Sequence, residues 1–203
     1  MTRDPAMRSY YDARAAEYDE WYLGTGLFAS RDRPGWHEEV EALTAALAAL
    51  PPARILDVAC GTAFLTRHLR GFVVGLDQSP EMVRIAQSRL PDGLALRADA
   101  LELPFADASF DRVVAGHFYG HLEEEERAAF LGEAGRVARE LVIVDSAGED
   151  RKEWQERKLN DGTRHRVFKR WFTPEALAAE LGGATTTLHA GRWFVAVSRG
   201  SGS

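Results

Sequence analysis

Five short aliphatic runs alternate with segments of helical pattern between Ala53 and Ser146, and this alternation constrains the fold more than any other feature. The runs are ARILDVA, GFVVGLD, GLALRADA, FDRVVAGHF and ELVIVDS. Near-continuous Val/Ile/Leu stretches of that length are strands buried on both faces, and strand–helix–strand repeats make a parallel sheet covered by helices. Ahead of the first run, Trp36, Val40, Leu43, Leu47 and Leu50 recur at helical spacing until Pro51-Pro52 stops them. CGTAFLTRHLR, after the first strand, reads as helical. In SPEMVRIAQSRL, Ser79 is the N-cap, Pro80 the first helical position, and Met82, Ala86 and Leu90 share a face. Glu123 to Ala138 forms the helix between the last two runs, with acidic residues in a first turn where the macrodipole favours them.

The ending breaks the alternation. After a helix beginning near Thr173-Pro174, ATTTLHA and RWFVAVSR are separated by too few residues for a helical crossover. They form a hairpin, so one of them runs antiparallel. The expected fold is α/β: a Rossmann-like doubly wound sheet of seven strands with an antiparallel edge hairpin.

Composition narrows the function classes. A chain of 203 residues is the size of one domain with its own core. Its net charge of −6 argues against a nucleic-acid partner, which needs a strongly basic face. No apolar run approaches the length of a membrane span, and one cysteine suits a reducing cytoplasm. No Cys/His spacing resembles a zinc site, so no metal is expected. The tail from Gly200 to Ser203 has no apolar anchor and reads as disordered. Oligomeric state is left open.

In open α/β sheets a ligand lies beyond the carboxyl ends of the strands. There the sequence places Asp57, Asp77 and Asp99, then His117 and His121, then Asp145. Three aspartates on one sheet edge form a rim suited to a ligand rich in hydroxyls, amines or positive charge. The turn DVACGTAF holds one glycine, Gly61. Aligned on it, the dinucleotide pattern G-x-G-x-x-G would have Ala59 and Phe64 at its other glycine positions, and Asp57 would face a pyrophosphate. A phosphate-free cofactor with a cationic centre fits better. Asp77 can then accept both ribose hydroxyls, and Asp99 an adenine amino group.

VACGTAF, GLDQSPEMV, RADALELPFADASFDRVVAGHFYGHL and the opening YYDARAAEYDEWY resemble class I S-adenosylmethionine-dependent methyltransferases, especially the ubiquinone and menaquinone group. The resemblance implies strand order 3-2-1-4-5-7-6 with strand 7 antiparallel, and one domain over residues 1–199. It places the methionine part of S-adenosylmethionine at Asp57, Ala59, Gly61 and Thr62, and the ribose at Asp77. Gln78 and Met82 lie beside the adenosine, and Asp99, Ala100 and Leu101 meet the adenine. Residues 1–35 become a lid, bringing Tyr11 and Tyr18 to the cofactor and Tyr10 to the acceptor. The family pattern carries glycine where Ala59 and Ala63 stand, and the Ala63 methyl is expected on the cofactor side.

The implied activity is methyl transfer to an O, N or C atom of a small organic acceptor. The alternatives are a non-catalytic S-adenosylmethionine-binding protein and an NAD-type oxidoreductase, the latter disfavoured by the turn chemistry. His117 and His121 are the candidate bases, and His117 and Tyr119 candidate acceptor contacts, because they follow the fourth strand. Residues 148–172 are expected to shape the acceptor pocket. Within them, Arg164 and Arg166 share alternation with Phe168. That pattern fits a cationic wall for an anionic acceptor, or an edge strand protected by charge.

Overall fold

The computed structural model describes residues 5–200, so the expected disordered tail beyond Gly200 lies outside the described residues. In chain order the elements begin with α1 (Pro5–Arg14), α2 (Glu20–Leu23), α3 (Trp36–Ala49), β1 (Ala53–Val58), β2 (Gly71–Asp77) and α4 (Pro80–Arg89). Next come β3 (Leu94–Arg97), β4 (Phe110–Gly116), α5 (Glu124–Val137) and β5 (Ala138–Ser146). The chain closes with β6 (Lys152–Lys158), β7 (Arg164–Arg170), α6 (Pro174–Leu181), β8 (Thr185–Ala190) and β9 (Phe194–Arg199).

Seven of these strands form one sheet in the order β3-β2-β1-β4-β5-β9-β8. β1 to β5 are parallel, and β9 runs antiparallel to both β5 and β8. With β8 and β9 as the sixth and seventh strands of this sheet, the order is the expected one. Alternate residues feed opposite layers, as the two-residue period of a strand requires. Val58, Leu76, Ala115 and Ile143 pack towards Met82, Phe130 and Leu177 on one side. Ile55, Val73, Val114 and Val142 pack towards Trp36, Leu43 and Leu47 of α3 on the other. The expected caps are present: Met82 N–H donates to Ser79 Oγ, and Ala176 N–H donates to Thr173 Oγ1.

The first crossover departs from expectation. CGTAFLTRHLR holds only a single 3₁₀ turn at Thr66–His68 in place of a helix. Twelve residues, Ala59 to Arg70, join β1 to β2. β1 has six residues, hence a length of about 20 Å, and a helix rising about 1.5 Å per residue would need roughly thirteen to return along it. The connection is too short to form both the rim turn and a helix, so most of it is a succession of tight turns.

β6 and β7 stand outside the main sheet as an antiparallel arm, turning at Asn160-Asp161-Gly162, where Gly162 has φ +91°. The arm folds back over the N-terminal segment: Asn160 donates through its backbone to Glu17 and through its side chain to Glu20. Among the described residues, no helix is long and apolar enough to cross a membrane.

Candidate active site

The turn after β1 is left-handed at three of five residues: Ala59 (φ +57°), Gly61 (φ +56°) and Ala63 (φ +61°). Two of these are alanines in a region that disfavours a Cβ, so the loop is held there by its contacts. The principal contact is Asp77, fully buried at the end of β2. Gly61 N–H donates to its Oδ2 (3.0 Å) and Ser79 N–H to its Oδ1 (2.9 Å). Burial raises the Asp77 carboxyl above its ordinary range, and these amides oppose the rise.

A small, partly open cavity lies over this rim. One half is walled by Met7, Tyr11, Tyr18, Ala59, Gly61, Asp77 and Met82. The other half is walled by Gly116, His117, Phe118 and His121. Tyr11 and Tyr18 reach it from separate elements, since α1 ends at Arg14 and a 3₁₀ turn follows. Tyr18 covers the loop so closely that a Cβ on Gly61 would lie 3.3 Å from its ring.

The remaining expected cofactor residues support the rim from behind. Asp57 is buried beneath the loop and accepts from the Thr66 hydroxyl; burial raises its carboxyl to about 7. Thr62 Oγ1 donates to Asp19 (2.5 Å), and Asp19 also pairs with Arg89 (2.7 Å), tying the N-terminal segment to the loop and to α4. Gln78 Nε2 and Leu101 N–H both donate to Asp99 Oδ1, at 3.1 and 3.0 Å, and Ala100 is fully buried beside them. The Ala63 methyl does not face the cofactor side. It packs with Cys60, Ala86 and Leu90, because the left-handed turn rotates it towards α4.

On the other half, His117 combines three unusual properties. It is 8% exposed, has φ +52°, and neither ring nitrogen has a hydrogen-bond partner. Its ring lies edge-on to Trp21 (4.7 Å), Phe194 (5.5 Å) and Tyr22 (5.8 Å). Burial lowers its pKa to about 3, so the ring is neutral. His121 Nδ1 lies 2.5 Å from the Phe168 carbonyl. A carbonyl only accepts, so Nδ1 carries the proton and Nε2 keeps its lone pair. Burial, then the charges of Lys169 and Arg157, hold the His121 pKa well below the ordinary histidine value.

Lys169 carried no signal in the sequence. It is buried on β7 and pairs with Asp145, whose Oδ2 accepts from Gly120 N–H (2.7 Å). Burial alone would raise the Asp145 carboxyl, but the Lys169 ammonium outweighs it and holds it below its ordinary value. β7 alternates in exposure through Arg166 and is then buried over Val167, Phe168 and Lys169, where it wedges between α1 and the Tyr119–His121 turn. Strand parity cannot anticipate that switch.

Four expected acceptor contacts, Tyr119, Arg164, Arg166 and Tyr10, do not line the cavity. Tyr119 is buried on the far side of its turn and donates to Glu180 (2.9 Å). Arg164 and Arg166 are exposed on the outer face of the arm, paired with Glu156 and stacked on Trp154 respectively. That placement is the one a charge-protected edge strand would have. Tyr10 is buried behind Tyr11, accepts from Arg14 (2.9 Å) and meets the His165 ring at 5.2 Å. Among the described residues, no group of three His, Cys, Asp or Glu could hold a metal ion.

A family described as methyltransferase domain matches residues 56–143, from the second half of β1 through the rim turn, β2 and β4 into β5. A demethylmenaquinone methyltransferase of Thermotoga maritima is 34% identical over 152 residues, covering 71% of this chain but only 62% of that protein. Among solved structures, a DhpI-SAM-HEP complex superposes with a TM-score of 0.75 at 25% identity, covering 95% of each chain. A DhpI-SAH complex gives 0.70 at 27% identity, covering 97% of this chain and 96% of that one.

Proposed function

We propose that this chain is an S-adenosylmethionine-dependent methyltransferase that moves a methyl group onto an O, N or C atom of a small organic acceptor. Asp77 carries the reading. Its carboxylate lines the cavity and is anchored by the backbone N–H of Gly61 on one oxygen and of Ser79 on the other, which presents it to the two hydroxyls on adjacent ribose carbons. Those donors would also offset the cost of burying a carboxylate. S-adenosylmethionine supplies an already activated methyl on a sulfonium, so the protein's task is mainly orientation and exclusion of water.

The residues divide that task. Ala59, Gly61 and Met82 shape the cofactor half, supported by Asp57, Thr62, Gln78, Asp99, Ala100 and Leu101, while Tyr11 and Tyr18 close it from above. The ring of His117, packed among Trp21, Tyr22 and Phe194, keeps water from the acceptor half. His121 Nε2 accepts the proton of a hydroxyl or amine acceptor, and the Phe168 carbonyl stabilises the charge on Nδ1–H. The arm within residues 148–172 holds that carbonyl in place. An acidic chain with a single cysteine fits a cytoplasmic protein acting on a small molecule, with no nucleic acid involved.

Calorimetric titration with S-adenosylmethionine, S-adenosylhomocysteine and NAD tests the cofactor: heat is expected for the first two, and binding of NAD alone would sink the proposal. A radiolabelled methyl-transfer screen over phenols, quinones, amines and carboxylates then separates an enzyme from a silent binder. His121→Phe should lower turnover by about 10²-fold, the lower range for a general base, with S-adenosylhomocysteine affinity unchanged. Unchanged turnover would remove His121 as the base.

A further inference from the structure

Two costs meet at His117. Its φ of +52° lies in the left-handed region, which a residue with a Cβ disfavours. Both of its ring nitrogens are buried without a hydrogen-bond partner among the described residues, a second charge against the fold. Packing does not explain either cost. Trp21, Tyr22 and Phe194 meet the ring edge-on, and a hydrocarbon ring would pack among them as well. The polar groups around it are paired: His121 Nδ1 with the Phe168 carbonyl, Gly120 N–H with Asp145, and Asp145 with Lys169. The unpaired ring is also one that lines the acceptor half of the cavity.

Its surroundings select the tautomer. Nδ1 lies 3.9 Å from Asp145 Oδ1, beyond hydrogen-bond length but near enough for the carboxylate to repel a lone pair and attract an N–H. The pull of Asp145 on this ring exceeds the opposing push of Lys169. With the proton on Nδ1, the neutral ring keeps a lone pair on Nε2 and has no donor to fill it. His121 reaches the same state by another route, since the Phe168 carbonyl fixes its proton on Nδ1. The acceptor half thus carries two imidazole lone pairs, four residues apart around the turn after β4. Each calls for a hydrogen from the ligand.

We propose that the methyl acceptor carries two hydrogen-bond donors, O–H or N–H groups, of which one is methylated and the other is held by His117 Nε2. The inference rests on the methyl-transfer reading and adds the acceptor's class, a dihydroxy or amino-hydroxy compound. In the transfer, the acceptor heteroatom gains the methyl and sulfur keeps the electron pair of the bond that breaks. The displaced proton rests on His121 Nε2. His117 takes no proton. It binds the second donor and so orients the first, and that bond offsets the burial of an unpaired nitrogen and the left-handed backbone.

The test is calorimetry on the protein saturated with S-adenosylhomocysteine, titrated with catechol, resorcinol and phenol, which differ in the presence and position of a second hydroxyl. At least one dihydroxy ring should bind at least about tenfold more tightly than phenol, as a site built to hydrogen-bond a hydroxyl discriminates against the analogue lacking it. In His117→Phe, which packs in the same aromatic surroundings, the preference should shrink to about twofold or less. His117→Asn, a residue that tolerates a left-handed φ, should lose it likewise and serves where the larger ring does not fold. Saturation by S-adenosylhomocysteine reports that a variant is folded. A merely structural role for His117 would weaken phenol and the dihydroxy rings alike, leaving their ratio as it was. No dihydroxy ring binding more tightly than phenol, or a preference that survives in a folded His117 variant, would overturn the inference. Failure of the wild-type protein to bind S-adenosylhomocysteine would instead strike the methyl-transfer reading, and the same ratio measured on the protein alone would still decide this one.

Discussion

The two halves of the cavity are built on different principles. The cofactor half is assembled from strand ends and backbone: Asp77 is anchored by the amides of Gly61 and Ser79, and the loop curls through three left-handed residues in one short turn. The acceptor half is walled by one short stretch, Gly116, His117, Phe118 and His121 after β4, and side chains and backbone from distant elements hold that stretch in place: Trp21 of α2 against His117 and the Phe168 carbonyl of the arm against His121. Backbone anchors tolerate little substitution and keep one shape. Side-chain walls can be rebuilt without moving the sheet, which is how one fold serves different acceptors.

Breaking the cofactor half should have the largest effect. Asp77→Ala removes the hydrogen bond that anchors the loop at Gly61 and the one from Ser79 at the start of α4, together with the proposed ribose acceptor, and should weaken S-adenosylmethionine by well over tenfold, roughly the range for paired charge-assisted bonds. Calorimetry measures this directly, and an unchanged dissociation constant would show that the ribose assignment is wrong.

An intermediate effect lies in how the halves respond to pH, because each buries one titrating group with the opposite sign. Asp57 has its pKa raised to about 7 by burial, so the folded protein retains a proton that the unfolded chain releases near the ordinary carboxylate value. Its contribution to stability is complete in acid and is lost as pH rises through about 7. His117 is lowered to about 3, so the unfolded chain takes up a proton that the folded one refuses, and stability falls as pH drops from about 6.5 towards 3. Asp57→Asn should therefore lose less stability than the parent between pH 5 and pH 8 in chemical denaturation. An identical pH dependence in the two proteins would show that Asp57 is ionised throughout.

The smallest effect sharpens the contrast within the arm. Arg164→Gln removes an exposed ion pair with Glu156, worth about 0–1 kcal/mol at a surface, and should leave turnover and cofactor affinity unchanged. A clear loss of turnover would return the outer face of the arm to the acceptor site.

Much of the cofactor half was legible because its information is local. Gly61 and Asp77 follow strands whose aliphatic runs mark them, and the parallel sheet gathers strand ends on one edge. The helix expected after β1 was not legible as absent: its residue types favour helix, and only the length of the connection forbids one. Ala63 follows the same logic, since its methyl direction depends on a left-handed φ that composition does not reveal.

The sequence by itself determined the parallel sheet, the antiparallel ending and the acidic rim, because strand period, strand-end placement and connection length act over a few residues; the strand order followed only from the family resemblance. Tertiary structure alone decided the acceptor side. It turned Tyr119, Arg164 and Arg166 away from the cavity, fixed the proton of His121 with a carbonyl 47 residues distant, and left the His117 ring buried without a hydrogen-bond partner among the described residues. Those outcomes depend on which elements the lid and the arm happen to touch, and the energy of such contacts is set by burial and partnership, which no local pattern encodes.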